Sequence, residues 1–165
     1  MKGITVFLWF DGQAEEAANF YTSLFPNSKV TDVARYNEAG PGEPGSVMTV
    51  AFELDGRKFV GLNGGPEFTF NEAISFAINC ESQDEVDEYW ERLGEGGEHG
   101  PCGWLKDKYG VSWQVVPTVL PELLARSDPE AAQRVMATML KMSKLEIEPL
   151  RRAAEGAEAP AAATG

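Results

Sequence analysis

The sequence is poor in cysteine. Its 165 residues include two, Cys80 and Cys102. Two cysteines are too few for the disulfide framework of a small secreted domain, and in a reducing compartment each is expected to remain a free thiol. We therefore expect no disulfide scaffold to stabilise the fold.

The sequence also lacks long hydrophobic runs. No stretch approaches the roughly 18 consecutive apolar residues that a membrane-spanning helix needs. The N-terminal stretch MKGITVFLWFDGQAEE has a short apolar run, but acidic residues follow it at once and no small-residue cleavage site is present. We therefore expect no membrane span, no export and a cytoplasmic location.

Positive charge is scarce. Lysine and arginine total 14 residues against 26 aspartates and glutamates, which gives a formal net charge of −12. A surface of this sign repels phosphate backbones and anionic lipids, so we expect neither nucleic acid nor membranes as partners. The same charge would attract cationic small molecules.

The residues that are present predict strands and helices in a definite order. The first part of the chain predicts strands at 4–10 and 29–36, with a helix between Asp11 and Pro26. A loop at 37–46 leads into a hairpin that turns at Asp55-Gly56, a dipeptide that tolerates positive φ angles.

A second round of the same elements follows. It predicts a strand at 73–80 and a helix whose start carries the capping-box pair Ser82 and Glu85. A glycine-rich connection at 94–103 then leads to a closing hairpin that ends at Pro117.

The two rounds resemble a repeat. A shift of 69 positions places Phe7 on Phe76, and it also brings Tyr21 onto Trp90 and Leu24 onto Leu93, so order and spacing agree. A single βαβββ unit of this size is too small to bury its own core. The sequence therefore predicts an α+β fold of two paired βαβββ modules.

A helical extension is predicted after the modules. Asp128-Pro129-Glu130 is a typical helix start, and Val135, Met136 and Met139 belong to the apolar face that follows it. We attribute this face to packing against the sheets or a partner subunit, and with the sheet edges it predicts a homodimer. The predicted boundaries are 1–66 and 67–118 for the two modules, 119–154 for the extension and 155–165 for a disordered tail.

Three stretches resemble the PhnB-like branch of the vicinal-oxygen-chelate superfamily, which includes glyoxalase and bleomycin-resistance proteins. They are FLWFDGQAEEAANFYTSLFPNSKV, GSVMTVAFELDGRKFVGLNGGPEFTFNEAISFAINC and CGWLKDKYGVSWQVVP. The resemblance implies paired βαβββ modules that form a cup-shaped half-barrel, commonly in a homodimer. This branch is often labelled 3-demethylubiquinone-9 3-methyltransferase, but the sequence has no glycine-rich strand-to-helix loop for a nucleotide-like methyl donor.

The metal ligands that the resemblance implies are missing. Glyoxalase-like relatives place a histidine seven residues before the acid that opens the first helix, and a glutamate after a D-x-x-G turn in the last strand. Those positions hold Ile4, its repeat equivalent Ala73, and Gln114. None is a good ligand, so we predict neither the usual metal site nor any cofactor.

Other polar and aromatic residues are the candidates for lining a pocket. Strand alternation and the expected cup favour Trp9, Glu53, Asn63, Cys102, Trp104 and Gln114. His99 and Cys102 are candidate reactive groups, although a solvated histidine and a structural thiol are the simpler interpretations. Asp107 is interpreted as a turn residue that binds nearby backbone N–H groups rather than as a general base.

The sequence therefore predicts a small-molecule-binding protein that holds an apolar or aromatic ligand without the usual metal site. The alternative is an enzyme of the same superfamily, an isomerase, lyase or dioxygenase with an atypical metal site, or the methyltransferase of the label. A third possibility is a protein that acts through its dimer surface.

Overall fold

The structure, a computed structural model, describes residues 3–125 and 128–156. The chain divides into two compact units, Met1–Phe70 and Asn71–Gly165. Each unit contains one four-stranded mixed sheet, which confirms the predicted α+β class. Of the predicted tail at 155–165, Glu155 and Gly156 end the last helix, and the rest lies outside the described residues.

The first unit follows the predicted order of elements. These are β1 (Val6–Phe10), α1 (Ala14–Leu24), β2 (Lys29–Arg35), β3 (Val47–Leu54) and β4 (Arg57–Asn63). The strands lie in the order β1-β4-β3-β2, and β1 runs parallel to β4 while the other pairs are antiparallel. At the predicted turn, Asp55 and Gly56 have φ angles of 45° and 73°, which a tight two-residue hairpin requires.

Strand alternation gives the first sheet a covered face and an open face. Val50, Phe52 and Leu54 are buried on the face that α1 covers, together with Tyr21 of the helix. The residues between them, Thr49, Ala51 and Glu53, belong to the opposite face. Trp9 shares that open face, because its register partner on β4, Leu62, is also the partner of Thr49.

The second unit repeats this topology. Its elements are β5 (Phe76–Cys80), α2 (Gln83–Gly94), β6 (Glu98–His99), β7 (Trp104–Lys106) and β8 (Ser112–Pro117). The order β5-β8-β7-β6 and the parallel β5–β8 pair match the first sheet, which confirms the repeat. The predicted start of α2 is also confirmed: the Ser82 hydroxyl accepts from the Glu85 amide at 3.2 Å, and the Glu85 carboxylate accepts from the Glu81 amide at 2.6 Å.

One element of this unit differs from the prediction. The stretch 94–103 was predicted as a connection, yet it contains β6, which pairs with β7 through Glu98 and His99. A two-residue strand between glycines has too few residues to display an alternating pattern, so its pairing with β7 is what reveals it.

Three helices follow the second sheet and belong to its unit. They are α3 (Val119–Leu124), α4 (Pro129–Met139) and α5 (Ile147–Glu155). Asp128 caps α4 by accepting from the Glu130 amide at 3.0 Å, as predicted. α3, which contains Pro121, lies within the predicted helical extension, although the sequence analysis named no helix start for it. The helices enclose a small apolar core of Leu120, Leu123, Val135, Leu145, Leu150 and Ala154.

Only part of the apolar face predicted around α4 is buried. Val135 is buried in the core of the helices and Met139 packs partly against it, whereas Met136 and Leu140 are exposed. Within the described ranges, no helix is long and apolar enough to cross a bilayer.

Candidate functional site

The second sheet presents one face that α2 does not cover. Trp104 and Gln114 are direct register partners across β7 and β8, and so are Lys106 and Ser112. Because side chains two residues apart share a face, these four lie on one side of the sheet. The neighbours Leu105 and Trp113 are buried on the helix side. We call the first side the open face of the second unit.

A cleft of about 350 Å³ lies along the β6–β7 edge of this face. Its size is within the range of small-molecule sites. Trp104 and Pro101 give it an apolar wall, and its polar side chains are Glu72, Glu98, Lys106 and Ser112. Gly100, Leu105 and His99 complete the lining, but the side chains of Leu105 and His99 lie on the α2 side of the sheet. We call it the second-unit cleft. An aromatic wall beside a few polar groups is the usual composition of a ligand site.

The cleft has one more carboxylate group than ammonium groups. The Lys106 ammonium forms an ion pair with Glu72. The hydrogen bond between them lowers the pKa of the Glu72 carboxyl and raises the pKa of the Lys106 ammonium. Glu98 faces Lys106 across the β6–β7 pair as a second acid. With two carboxylates against one ammonium, the cleft carries a net negative charge.

Ser112 is a buried polar residue without an internal partner. It lines the cleft, its side chain is 2% exposed, and its hydroxyl oxygen has no hydrogen-bond partner within the described chain. Buried hydroxyl groups are nearly always hydrogen-bonded. Gln114, two residues further along the same face, is held differently, since its amide donates to the Ser75 hydroxyl at 2.8 Å.

Asp107 holds the hairpin that carries the cleft. The residue is 2% exposed. One carboxylate oxygen accepts from the amides of Tyr109 and Val111 at 2.9 and 3.0 Å, and the other accepts from the Trp113 indole at 2.8 Å. The prediction that Asp107 is a turn residue is confirmed, and the indole bond is a further contact.

The two candidate reactive groups, His99 and Cys102, contact different helices. His99 stacks on Trp90 with ring centroids 4.5 Å apart, and its Nε2 lies 3.1 Å from the Trp90 carbonyl oxygen. The Cys102 thiol donates to the Met139 carbonyl at 3.5 Å.

Cys102 lies just before the strand that carries Trp104. β7 begins at Trp104, and Cys102 precedes it in a left-handed turn conformation with a φ of 56°. Its backbone amide donates to the Met142 carbonyl at 2.8 Å. Cys102 is not among the lining residues of the second-unit cleft; its contacts connect the hairpin to α4.

Cys80 is the more deeply buried cysteine. Its thiol donates to the Ile78 carbonyl at 3.8 Å. Burial, with a smaller contribution from the charge of Glu85, raises the pKa of the Cys80 thiol to about 12. The thiolate is the nucleophilic form of cysteine, so this group is chemically inert at neutral pH.

The other three candidates are in the first unit. Trp9 donates from its indole to the Gly65 carbonyl at 2.8 Å and meets Phe68 edge-on. Glu53 lies on the same open face, with Lys29 and Lys58 as its register partners.

Asn63 has a structural role. Its side-chain oxygen accepts from the Ala14 amide at 2.9 Å, and its side-chain nitrogen donates to the Val47 carbonyl at 3.0 Å. Asn63 therefore caps α1 and holds the start of β3. It also lines a cleft of about 420 Å³ in the first unit, in which Asp11, Glu15 and Tyr36 are the other ionisable groups.

The residues at the superfamily's metal positions do not fit a metal. Ile4 is exposed and apolar, Ala73 has no donor atom, and the Gln114 amide is directed to Ser75. In the part of the chain that the structure describes, no three His, Cys, Asp or Glu side chains converge as a metal site would need. We therefore derive no chemistry through a metal.

The sequence profile of the 3-demethylubiquinone-9 3-methyltransferase family matches residues 2–116. The chain belongs to this PhnB-like family. A PhnB protein from Bacillus cereus, whose description repeats the methyltransferase label, is 41% identical. That match covers 70% of this chain and 99% of the other, with a TM-score of 0.63.

More distant structures share the fold of this PhnB-like protein. A fosfomycin resistance protein, FosX, from Mesorhizobium loti is 15% identical, with 76% of this chain and 99% of that chain covered and a TM-score of 0.56. Protein PA1353 from Pseudomonas aeruginosa is 18% identical over 71% and 98% of the two chains, with a TM-score of 0.59. A comparison with curated proteins found no match. These neighbours confirm the predicted glyoxalase/bleomycin-resistance-like fold.

The helices α3, α4 and α5 lie beyond the part of the PhnB-like chain that the family profile matches, which ends at residue 116. The loop between α4 and α5 contacts the cleft wall, since the Ser143 hydroxyl donates to the Gly100 carbonyl at 2.7 Å and the Gly103 amide donates to the Ser143 carbonyl at 2.7 Å.

Of the residues predicted from the sequence, Trp104 and His99 are among those that line the cleft. Gln114 lies beside Trp104 on the same face but is not among the lining residues. Ser112 and Lys106 were missed, although period-two alternation across the hairpin places them on the same face. Glu98 could not be placed because β6 was not predicted. Glu72 lies before β5, and no sequence pattern relates it to its ion-pair partner Lys106 on β7.

Proposed function

We propose that this PhnB-like protein binds a small aromatic or otherwise apolar molecule in the second-unit cleft, without the usual metal site of its superfamily. The observation that carries the proposal is the position of Trp104, which forms an aromatic wall on an open sheet face beside a few polar groups. Burying a planar ligand against an indole removes apolar surface from water and adds favourable ring contacts.

Ligand charge follows from the surroundings of the cleft. The protein carries a formal charge of −12, and Glu98 adds a carboxylate beyond the Glu72–Lys106 pair. Both features raise the local concentration of cations and oppose the approach of anions. The favoured ligands are therefore neutral or cationic aromatic compounds.

The methyltransferase label has less support. Neither unit has a glycine-rich strand-to-helix turn at its first helix, where α1 follows Asp11-Gly12-Gln13 and α2 follows Glu81-Ser82. The fosfomycin resistance description of the FosX neighbours suggests action on small molecules, and at 15% identity it suggests no particular one.

A thermal-shift screen tests the proposal. The panel contains neutral and cationic aromatic compounds and S-adenosylmethionine. At 100 times its dissociation constant, a ligand of the native state adds about 2.7 kcal/mol to the free energy of unfolding. We expect a hit whose affinity falls about tenfold or more in Trp104→Ala.

The matched control for this variant is Phe68→Ala, which removes an exposed aromatic side chain of the first unit. It should keep the wild-type affinity. Equal loss of binding in both variants, or no shift with any aromatic compound, would contradict the proposal. A shift with S-adenosylmethionine alone would favour the methyltransferase instead.

A further inference from the structure

The unpartnered hydroxyl of Ser112 requires a physical explanation. Leaving a buried polar group without a hydrogen bond costs about 1–3 kcal/mol. Ser112 begins β8 and is nearly fully buried, yet its hydroxyl group makes no hydrogen bond within the described chain. Since its register partner Lys106 is engaged with Glu72, the hydroxyl gains no bond from that neighbour.

The position of the hydroxyl is as informative as its lack of a partner. Ser112 lines the second-unit cleft together with Trp104 and Glu98. The three side chains lie on the open face of three successive strands, β8, β7 and β6. A molecule in the cleft would therefore lie against Ser112, an aromatic wall and a carboxylate.

We infer that Ser112 is a ligand-binding residue, and that the ligand is a planar organic cation with N–H donors. This inference rests on the proposed function and adds the chemical class of the ligand. The aromatic body packs on Trp104, one N–H donates to the Ser112 hydroxyl oxygen, and the positive charge faces Glu98. Such a ligand satisfies the unpaired hydroxyl and neutralises the excess carboxylate.

A set of three compounds with one shape separates charge from size. Naphthalene-2-carboxamidine is a planar cation, naphthalene-2-carboxamide is its neutral counterpart, and 2-naphthoate is the anion. Isothermal titration should give the tightest binding for the amidine, at least about tenfold weaker binding for the amide, and none for the naphthoate, because hydrogen bonds to charged groups are the stronger ones. Equal affinity for amidine and amide, or preference for the naphthoate, overturns the inference.

Ser112→Ala is the direct test, with two readouts. Affinity for the amidine should fall about fivefold to tenfold. The midpoint of urea unfolding without ligand should stay the same or rise, because the variant removes a buried hydroxyl that lacks a partner. A lower midpoint, or unchanged affinity, contradicts the assigned role.

Two further variants separate this inference from the proposed function. Glu98→Gln should reduce the preference for amidine over amide, while Lys141→Gln, which alters an exposed charge on the helical extension, should leave it unchanged. If a different aromatic compound binds in a Trp104-dependent manner and the amidine does not, the proposed function stands and the inference fails. If no aromatic compound binds, both fail.

Discussion

Asp107 shows how a single buried carboxylate can determine the shape of a hairpin. It accepts three hydrogen bonds, from two backbone amides of its own turn and from the indole of Trp113. Hydrogen bonds to an ionised acceptor are about twice as strong as neutral ones. The positions of Ser112 and Gln114 on β8 therefore depend on this residue.

Replacing Asp107 should destabilise the protein strongly. In Asp107→Ala three donors lose their acceptor, and we expect a loss of about 3–5 kcal/mol in the free energy of unfolding, measured in urea. Asp107→Asn keeps one side-chain oxygen and should lose less. The exposed Asp32→Ala serves as control and should change stability by no more than about 0.5 kcal/mol. A loss below 1 kcal/mol in Asp107→Ala would refute this assignment.

The two thiols should react at very different rates. With its pKa raised to about 12 by burial, Cys80 is thiolate in about one molecule in ten thousand at pH 8. In Cys102→Ser, a thiol-specific disulfide reagent should label no site in the native protein and one in denaturant. In Cys80→Ser, the half-buried Cys102 should react in the native state.

The raised pKa of Cys80 also determines how this residue changes the free energy of unfolding with pH. The native state holds this proton more tightly than the unfolded chain does, so the contribution is fully present below the ordinary thiol pKa and is lost as the pH rises toward 12. Rapid labelling of native Cys102→Ser at pH 8 would contradict the burial of Cys80.

At the scale of elements, Gln83 connects α2 to the helical extension. Its side-chain nitrogen donates to the Leu145 carbonyl at 3.2 Å, and its side-chain oxygen accepts from the Ile147 amide at 2.8 Å. A Lys144–Asp87 ion pair lies beside this connection, and its hydrogen bond lowers the pKa of Asp87. The extension is thus fixed at α2 as well as at the cleft wall.

Gln83→Ala should loosen the extension selectively. We expect a loss of about 1–2 kcal/mol in stability and faster hydrogen exchange at the Ile147 amide and along α5. Exchange in α1 of the first unit should not change. The exposed Gln133→Ala of α4 is the matched control. Unchanged exchange along α5 in Gln83→Ala would show that Gln83 does not hold the extension.

Elements with strong local signals could be predicted from the sequence. Ser82 and Glu85 defined the start of α2, Asp55-Gly56 the first hairpin, and the shift of 69 positions the repeat of β1 and α1 as β5 and α2. Elements specified by distant partners could not be predicted. β6 exists because β7 pairs with it, and Cys102 adopts its turn because Met142 and Ser143 accept from that segment.

The residues of the candidate site also divide into those with a local sequence signal and those that depend on distant partners. Trp104 and Gln114 were accessible from alternation and from the resemblance, whereas the importance of Ser112 depends on the lack of a partner, which no sequence pattern encodes. The ion pair of Lys106 with Glu72 joins residues 34 positions apart in the sequence (106 − 72 = 34) and required the fold.

For the whole molecule, the predicted homodimer can be tested at α4. Met136 of this helix and Leu140, its C-cap residue, are exposed, and Leu140 is 63% exposed. If the homodimer forms through this face, Leu140→Asp should convert dimer to monomer in analytical ultracentrifugation, since it places a charge in an apolar interface. Ile4→Asp, which alters an exposed apolar residue of the first unit, is the control. A dimer that persists in Leu140→Asp would exclude this face.

The central claim is that the second-unit cleft binds a small molecule without a metal. The most direct test is an amide NMR titration of chelator-treated protein with naphthalene-2-carboxamidine. We predict the largest shifts at the amides of 98–106 and 112–114 and at the Trp104 indole, with the same dissociation constant before and after chelation. Shifts confined to the first unit, or binding that appears only when a divalent metal is restored, would contradict the claim.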